Sequence, residues 1–296
     1  MKKENFKIKS NCDGLELDTM LFIPDKVKAV VALSHGMVER KEYYFGFMEY
    51  LAQNGYASII HDHRGHGKSV RSNNDYGYFY DETSDYIVED IHQIIEYLKE
   101  RFNGKEIILL GHSMGSLVVR KYIKKYDDKI DKLIVCGSPS INKMTDLGLL
   151  LCKVIKLFKG ERYRSKFINK MVLPSKHNWL SNDLDYVKEY KKDKLCGFIF
   201  TINGFINLMN LLKSVYSKKN WVLNNKKLNI LFIAGEDDPI IVSEKLWHKS
   251  IDFLKNVGYK NIDYKLYHNM KHAVLLEKEN EIVYEDVIKY IEKGRI

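Results

Sequence analysis

The chain has 296 residues, of which 45% are hydrophobic, so it can fill one large α/β domain or a core that carries an inserted subdomain. Its formal net charge of +9 comes from lysines spread along the whole chain, often beside acids, with no arginine-rich arm or RNA-binding signature, and we expect no nucleic-acid partner. The four cysteines lack CxxC or zinc-ligand spacing and no stretch approaches the ~20 apolar residues of a membrane span, which argues against a disulfide framework, a zinc site and a transmembrane helix.

Short β-branched runs alternate with longer helical stretches in the first half of the chain, an order typical of a mostly parallel sheet flanked by helices. The predicted strands are residues 27–33, 57–61, 107–110 and 133–136. The predicted helices are residues 43–54, residues 85–101 with apolar side chains at helical spacing, and a helix that begins after Ser113.

This alternation disappears between about residues 138 and 225, where the sequence is helix-like, and it resumes afterwards. The last predicted elements are strands 230–234 and 262–266 and helices 243–257 and 281–291. We therefore predict an α/β core made by residues 1–137 and 226–296. Residues 138–225 are predicted to be a helical cap inserted over the carboxyl ends of the strands.

The strongest chemical signal is Gly111-His112-Ser113-Met114-Gly115, a Gly-x-Ser-x-Gly motif between an apolar strand and a helix. In that context a sharp turn projects the serine hydroxyl above the sheet, and the two glycines prevent clashes with adjacent elements. We predict that Ser113 is a nucleophile and that the Met114 N–H stabilises the oxyanion formed by its attack.

A serine hydroxyl is a weak nucleophile and needs an adjacent base that a third group orients. In proteins that carry this motif between a strand and a helix, the acid and then the histidine follow the serine along the chain. The acid is expected in the turn after strand 230–234, where Asp237 and Asp238 are the candidates. We favour Asp238, because the proline after it biases its backbone toward an extended geometry that fixes the carboxylate. In the loop after the last strand we favour His272 over His268, which still adjoins the strand.

The second oxyanion donor should come from the loop after the first long strand, where His35-Gly36-Met37 stands. Gly36 permits close approach of the backbone, and the Met37 N–H is the predicted donor. Substrate contacts are expected from residues in the motifs and in the inserted segment, namely His35, Gly36, His112, Leu150 and Phe158.

These motifs occur in an order that resembles the monoacylglycerol lipases and bacterial lysophospholipases, in the serine aminopeptidase S33-like branch of the α/β hydrolases. The resemblance extends over nearly the whole chain. It rests on residues 35–37, the segment Asp62-His63-Arg64-Gly65-His66-Gly67-Lys68-Ser69, residues 111–115, residues 235–239 and His272, with cap-like stretches at 179–183 and 195–198. It implies an α/β-hydrolase fold with a cap, and a serine esterase.

The chain departs from the family pattern in the loop that follows Gly36. The family usually has Glu-His-Ser-x-Arg-Tyr there, after two variable residues. Glu39 and Tyr44 match that pattern, whereas Arg40, Lys41 and Tyr43 replace the residues between them. The departure leaves the predicted triad untouched.

The inserted segment gives an indication of the substrate. Around Leu150 and Phe158 an apolar helical face is edged by lysines, which suits an acyl-chain tunnel, contact with a lipid surface or packing on the core. Together with the resemblance this favours an ester of a single-chain lipid, either a monoacylglycerol or a lysophospholipid. The mechanism would use an acyl-enzyme on Ser113 and require no metal or organic cofactor.

Other functions stay open at this point. The same triad suits a short-chain carboxylesterase, a peptidase or an acyltransferase, and a hydrolase fold without activity would be a binding module. The intact Ser, Asp and His in the proper order favour an enzyme. Because the basic amino terminus lacks the apolar run of a signal peptide, we expect a soluble cytoplasmic protein that contacts a membrane surface at most transiently.

Overall fold

The computed structural model describes residues 1–141, 144–174 and 178–296, and an eight-stranded sheet forms its centre. In chain order the strands are β1 (Lys2–Lys9), β2 (Glu16–Ile23), β3 (Ala29–Ser34), β4 (Tyr56–His61), β5 (Ile107–His112), β6 (Lys132–Cys136), β7 (Asn229–Gly235) and β8 (Asn261–Tyr267). Their order in the sheet is β1-β2-β4-β3-β5-β6-β7-β8. β1 pairs antiparallel with β2 and β2 with β4, whereas all other pairs are parallel. The loops after β3, β5, β7 and β8 therefore leave the sheet at one edge.

Helices cover both faces of the sheet. They are α1 (Phe45–Gln53), α2 (Tyr86–Arg101), α3 (Met114–Tyr126), α4 (Thr145–Lys159), α5 (Lys166–Val172), α6 (Leu184–Lys192), α7 (Ile202–Val215), α8 (Glu244–Val257) and α9 (Glu281–Lys293). Short 3₁₀ turns occur at Lys41–Tyr44, Asn73–Asp75 and Val274–Leu276. Because side chains alternate along each strand, one buried cluster joins the sheet to α2, α3 and α8, and a second joins it to α1 and α9.

The predicted core strands and helices are present, with ends that differ by one or two residues. The predicted helix 43–54 begins as a 3₁₀ turn and continues as α1; Gly55, with a φ of 87°, follows its end. The two amino-terminal strands were not predicted from the sequence. β1 lies at the edge of the sheet and alternates exposed with half-buried positions, so lysines occupy half of it and its apolar signal is weak.

The segment in which the alternation is lost holds α4 to α7, and no strand occurs in its described residues. Within it α4 packs on α7, and α7 in turn packs on α3, the helix that follows Ser113. The insertion is thus in contact with the element that carries the nucleophile motif. The domain boundaries at 137/138 and 225/226 stay a prediction.

A buried ionic cluster fixes the loop after β3 to the sheet. The Lys41 ammonium contacts the carboxylates of Asp18 on β2 and Asp62 after β4, and all three side chains are at most 5% exposed. Asp62 also accepts hydrogen bonds from the backbone N–H of Lys41 and of Lys68. Burial alone would lower the pKa of Lys41, but the two carboxylates outweigh it and raise that pKa.

Replacement of Lys41 by alanine should strongly destabilise the protein, because it leaves two buried carboxylates without their cation. We expect Lys41→Ala to lower the free energy of unfolding by about 3–5 kcal/mol, measured by urea denaturation. Lys7→Ala is the matched control, since its pair with Glu16 is exposed, and it should unfold like the wild type. Equal stabilities of the two variants would contradict a structural role for the cluster.

Candidate active site

Ser113 lies in a strained turn between β5 and α3. Its φ of 54° and ψ of −119° are rarely adopted by serine, and such strain costs on the order of 1–3 kcal/mol. The glycines of the motif make the turn possible, because a Cβ at Gly111 would overlap the Gly115 carbonyl and one at Gly115 would overlap the Ser34 carbonyl. The Ser113 N–H donates to the carbonyl of Cys136 at 2.9 Å, which ties the turn to the end of β6.

The structure brings together the three side chains that the sequence singled out. His272 Nε2 lies 2.8 Å from Ser113 Oγ, and His272 Nδ1 lies 2.9 Å from Asp238 Oδ2. Because a carboxylate only accepts hydrogen bonds, Nδ1 carries a ring proton, and Nε2 faces the Ser113 hydroxyl. Asp238 is held in turn by the Ile240 N–H, which donates to its Oδ1 at 2.8 Å.

The alternative acid and base lie elsewhere. Asp237 is exposed, and its backbone N–H donates to the Met270 carbonyl. His268 pairs with Glu236 at the surface, at 2.6 Å, and its side chain is 81% exposed. Of the four candidates in the two turns, only Asp238 and His272 therefore form a hydrogen-bonded chain to Ser113.

The two predicted oxyanion donors belong to residues that line one cavity with Ser113 and His272. Met114 is the first residue of α3, where N–H groups have no partner within the helix and the helix dipole favours negative charge. Met37 lies in a loop whose neighbouring N–H groups are engaged: Gly36 donates to Glu39 and Val38 to His66 Nε2. These bonds fix the backbone on both sides of Met37.

A charged network lies behind this loop. The Tyr44 hydroxyl donates to Glu39, so its oxygen accepts from His112 Nδ1 at 2.7 Å, while His112 Nε2 donates to the carbonyl of His272 at 3.2 Å. Both ring nitrogens then carry protons, which makes His112 an imidazolium. Burial alone would lower the pKa of His112, but the Glu39 carboxylate outweighs it and raises that pKa. Burial opposes ionisation of Glu39 too, yet His112 lowers its pKa to about 2.

The segment Asp62-His63-Arg64-Gly65-His66 lies in a cluster of four buried histidines, His35, His61, His63 and His66, and it helps to hold the loops of the site in place. The backbone N–H of His63 donates to His35 Nε2 at 2.9 Å, and the ring nitrogen Nε2 of His63 is hydrogen-bonded to Ser34 Oγ at 2.9 Å. His63 therefore connects the loop after β4 to the end of β3 and the loop that follows it. Burial lowers the pKa of His61 and of His66 to about 3, so these rings stay neutral at ordinary pH. The sequence identified this motif only through resemblance, because its contacts join separate strands.

A cavity of about 600 Å³ opens at Ser113, within the range of small-molecule sites. Its wall is mostly apolar and comes from three sources: the loops at the sheet edge, the helix α3, and the inserted helices. Residues that the sequence reasoning missed include Leu117, Trp179, Leu208, Met209 and Leu212. Leu117 had a detectable signal, since it follows Ser113 by one helical turn, on the same face of α3.

None of the five predicted substrate-contact residues lines this cavity. His35, Gly36 and His112 are buried behind the wall, where they hold the loops described above. Leu150 and Phe158 are exposed, because α4 buries its other face and turns theirs outward. For this helix the sequence left open an acyl-chain tunnel, contact with a lipid surface and packing on the core, and these two side chains lie on the surface of the protein.

Residues 25–279 match a family described as Serine aminopeptidase, S33, which confirms the resemblance stated from the motifs. The chain is 27% identical over 268 residues to a monoglyceride lipase homolog of monkeypox virus, covering 90% of this chain and 88% of the viral protein. It is 29% identical over 254 residues to a probable lysophospholipase L2 of Haemophilus influenzae, and the alignment covers 80% of this chain and 74% of that protein. A thermostable carboxyl esterase from Bacillus coagulans superposes with a TM-score of 0.87 at 20% identity, covering 99% and 98%, and confirms the predicted α/β-hydrolase fold.

The protonation of His112 should depend on Glu39. In the wild type we expect His112 to titrate above the ordinary histidine value of about 6.5, followed by NMR of its ring nitrogens. Glu39→Gln removes the carboxylate that contributes most to the upward shift, so the pKa of His112 should fall from its wild-type value. Tyr44→Phe keeps the carboxylate and should retain most of the upward shift.

The raised pKa of His112 also makes the free energy of unfolding depend on pH. A raised folded-state pKa stabilises the protein below the unfolded value, and this contribution disappears as the pH rises through the folded pKa. Glu39→Gln should therefore lose that pH dependence. The assignment fails if the wild type and Glu39→Gln show the same His112 titration.

Proposed function

We propose that this chain, which belongs to the serine aminopeptidase S33 family of hydrolases, is a serine esterase that cleaves single-chain lipid esters, either monoacylglycerols or lysophospholipids. The observation that carries the proposal is the hydrogen-bonded chain from Asp238 through His272 to Ser113, placed at an apolar cavity. A nucleophile, its base and the group that orients the base stand in the geometry of acyl transfer.

In the proposed reaction Ser113 Oγ attacks the ester carbonyl carbon while His272 Nε2 takes the hydroxyl proton. The Asp238 carboxylate stabilises the imidazolium that forms. The N–H groups of Met37 and Met114 donate to the oxyanion of the tetrahedral intermediate, and loss of one such donor lowers turnover by about 10²–10³-fold.

The intermediate collapses when its bond to the alcohol oxygen breaks and His272 returns the proton to that oxygen. The alcohol leaves and an acyl group stays on Ser113. Water, deprotonated by His272, then attacks the acyl carbon, and the serine oxygen leaves with the proton. The products are an alcohol and a fatty acid, and the triad is restored.

The lipid part of the proposal is supported by the cavity and by the relatives. The wall next to Ser113 consists mainly of leucine, methionine and other apolar side chains, which suits an acyl chain. Two relatives that align over most of the chain carry the names of a monoglyceride lipase and a lysophospholipase. A short-chain carboxylesterase is the alternative outcome of the test below.

We also propose that α4 touches a lipid surface during catalysis. Apolar side chains exposed on this helix recur at helical spacing, at positions Leu147, Leu150, Val154, Leu157 and Phe158. Exposed lysines edge this stripe at 153 and 159, which complements an anionic membrane. Met144 and Met171 are exposed and also line the cavity, so the apolar surface continues into it.

No helix in the described part of the chain is long and apolar enough to cross a membrane. The four cysteines are all described and unpaired, which supports our proposal of a reducing, cytoplasmic location.

Fatty-acid release from a monoacylglycerol and from the lysophospholipid with the same acyl chain tests the activity. Ser113→Ala should lower kcat by about 10⁴-fold or more on the better substrate. Asp238→Asn should lower it by about 10⁴-fold, since the wrong histidine tautomer results. Matched controls come from the same loops: Asp237→Asn and His268→Ala should retain wild-type rates.

Ser113-dependent cleavage of a short chromogenic ester, with release from neither lipid, would keep the triad and contradict the lipid substrate. Loss of activity in Asp237→Asn but not in Asp238→Asn would contradict the assigned acid.

The surface role of α4 is tested by binding to vesicles that contain phosphatidylserine, measured by co-sedimentation. Leu157→Ser and Phe158→Ser should each weaken binding by about tenfold or more, because burial of such a side chain contributes ~1.5–3 kcal/mol. Val222→Ser, an exposed apolar position outside α4, should bind like the wild type. Equal binding of all four proteins would contradict the role of α4.

A further inference from the structure

Gly148 lies inside α4, where glycine is a poor helix former, and it is buried. A Cβ built on it would lie 3.3 Å from Met209 Cε and 3.4 Å from Met209 Sδ. The end of the Met209 side chain therefore occupies the place that a side chain at position 148 would need. Both residues line the cavity that opens at Ser113.

Apolar residues of the cavity wall link the nucleophile to this pair, and we call this stretch of the wall the apolar arm. Leu117 stands one turn beyond Ser113 on α3, and α3 packs on α7, which contributes Leu208 and Leu212 to the same wall. The contact between α7 and α4 then brings in Gly148. No charged side chain lines this stretch of the described wall.

The charged side chains of the described cavity wall stand at its other part, although the hydroxyl-bearing Thr145 lies one turn before Gly148 on α4. Tyr190 and Gly197 both donate to the carbonyl of Val38, and Lys191 and Glu39 line the wall beside them. The polar alcohol part of an ester fits this side, next to the oxyanion loop. The acyl chain then extends along the apolar arm, toward Met209.

The cavity wall is rich in methionine. Of the nine methionines in the chain, five line it: Met37, Met114, Met144, Met171 and Met209. An unbranched thioether side chain with three rotatable bonds adapts to differently shaped ligands better than a branched aliphatic one. Met209 keeps its present position because residue 148 has no side chain, and a large side chain there would displace it.

We infer that Gly148 and Met209 together determine the length of acyl chain that the enzyme accepts. In the structure the end of Met209 rests over Gly148, the position that leaves the arm open to long chains; when it is displaced from that position, Met209 closes the arm and only short chains fit. The inference rests on the proposed ester hydrolase and deepens it, since it assigns the specificity of that same site to two residues on α4 and α7.

The experiment is a chain-length profile of kcat/KM for butyryl, octanoyl, dodecanoyl and hexadecanoyl monoacylglycerols. Gly148→Leu should lower the hexadecanoyl-to-butyryl ratio by about tenfold or more, the effect of roughly two buried methylene groups. Met209→Ala lengthens the arm and should raise the same ratio. The two variants should thus change the ratio in opposite directions. A general loss of folding would instead lower kcat/KM for all four substrates alike.

Gly46→Leu is the matched control, because Gly46 is also helical and a Cβ built on it meets nothing within 4 Å. It should keep the wild-type ratio. Gly148→Ala completes the series: its added methyl meets only the mobile end of Met209, so it should fold and lower the ratio less than leucine does.

Two failures are distinguishable. If the wild type cleaves all four esters and the Gly148→Leu and Met209→Ala ratios equal that of Gly46→Leu, the specificity assignment is overturned and the esterase remains. If the wild type cleaves the butyryl ester alone, the lipid substrate is contradicted, and so is an apolar arm that admits long acyl chains while Met209 lies over Gly148.

Discussion

The close approach of α3 to the end of β3 is the constraint on which the site depends. At Gly115 the helix backbone touches the carbonyl groups of Ser34 and His35, so near that no side chain fits between them. To reach that position the chain must turn within a single residue, and Ser113 takes the strained conformation. The strain is maintained because the surrounding sheet and helices determine the path on both sides of it.

A similarly close contact positions His272, the proposed base. Gly137, at the end of β6, has a φ of 55°, and a Cβ there would lie 3.2 Å from His272 Cε1. His272 can therefore sit over the strand ends, between Ser113 and Asp238. Geometry of this kind needs close backbone contacts between neighbouring loops, so glycines are required there in addition to the hydrogen bonds that hold the triad.

The sequence predicted which side chains meet at the sheet edge better than it predicted their surroundings. Ser113, Asp238 and His272 could be expected to lie together because each follows a recognisable strand, and parallel strands bring their carboxyl ends to one edge. The orientation of Leu150 and Phe158 could not be predicted, because α4 is apolar on its buried and its exposed face, and periodicity does not tell which one is covered. The link between Glu39 and His112 escaped for another reason: it joins residues far apart in the chain whose partners only the fold defines.

The exposed apolar stripe on α4 has a consequence for the protein in water. Leu157 and Phe158 are about 80% exposed, and two copies of the chain could hide these side chains by placing their α4 helices together. Under our proposal for α4, lipid and a second copy would compete for this one surface. Dilution and the amount of membrane would then together set how much of the protein is monomeric.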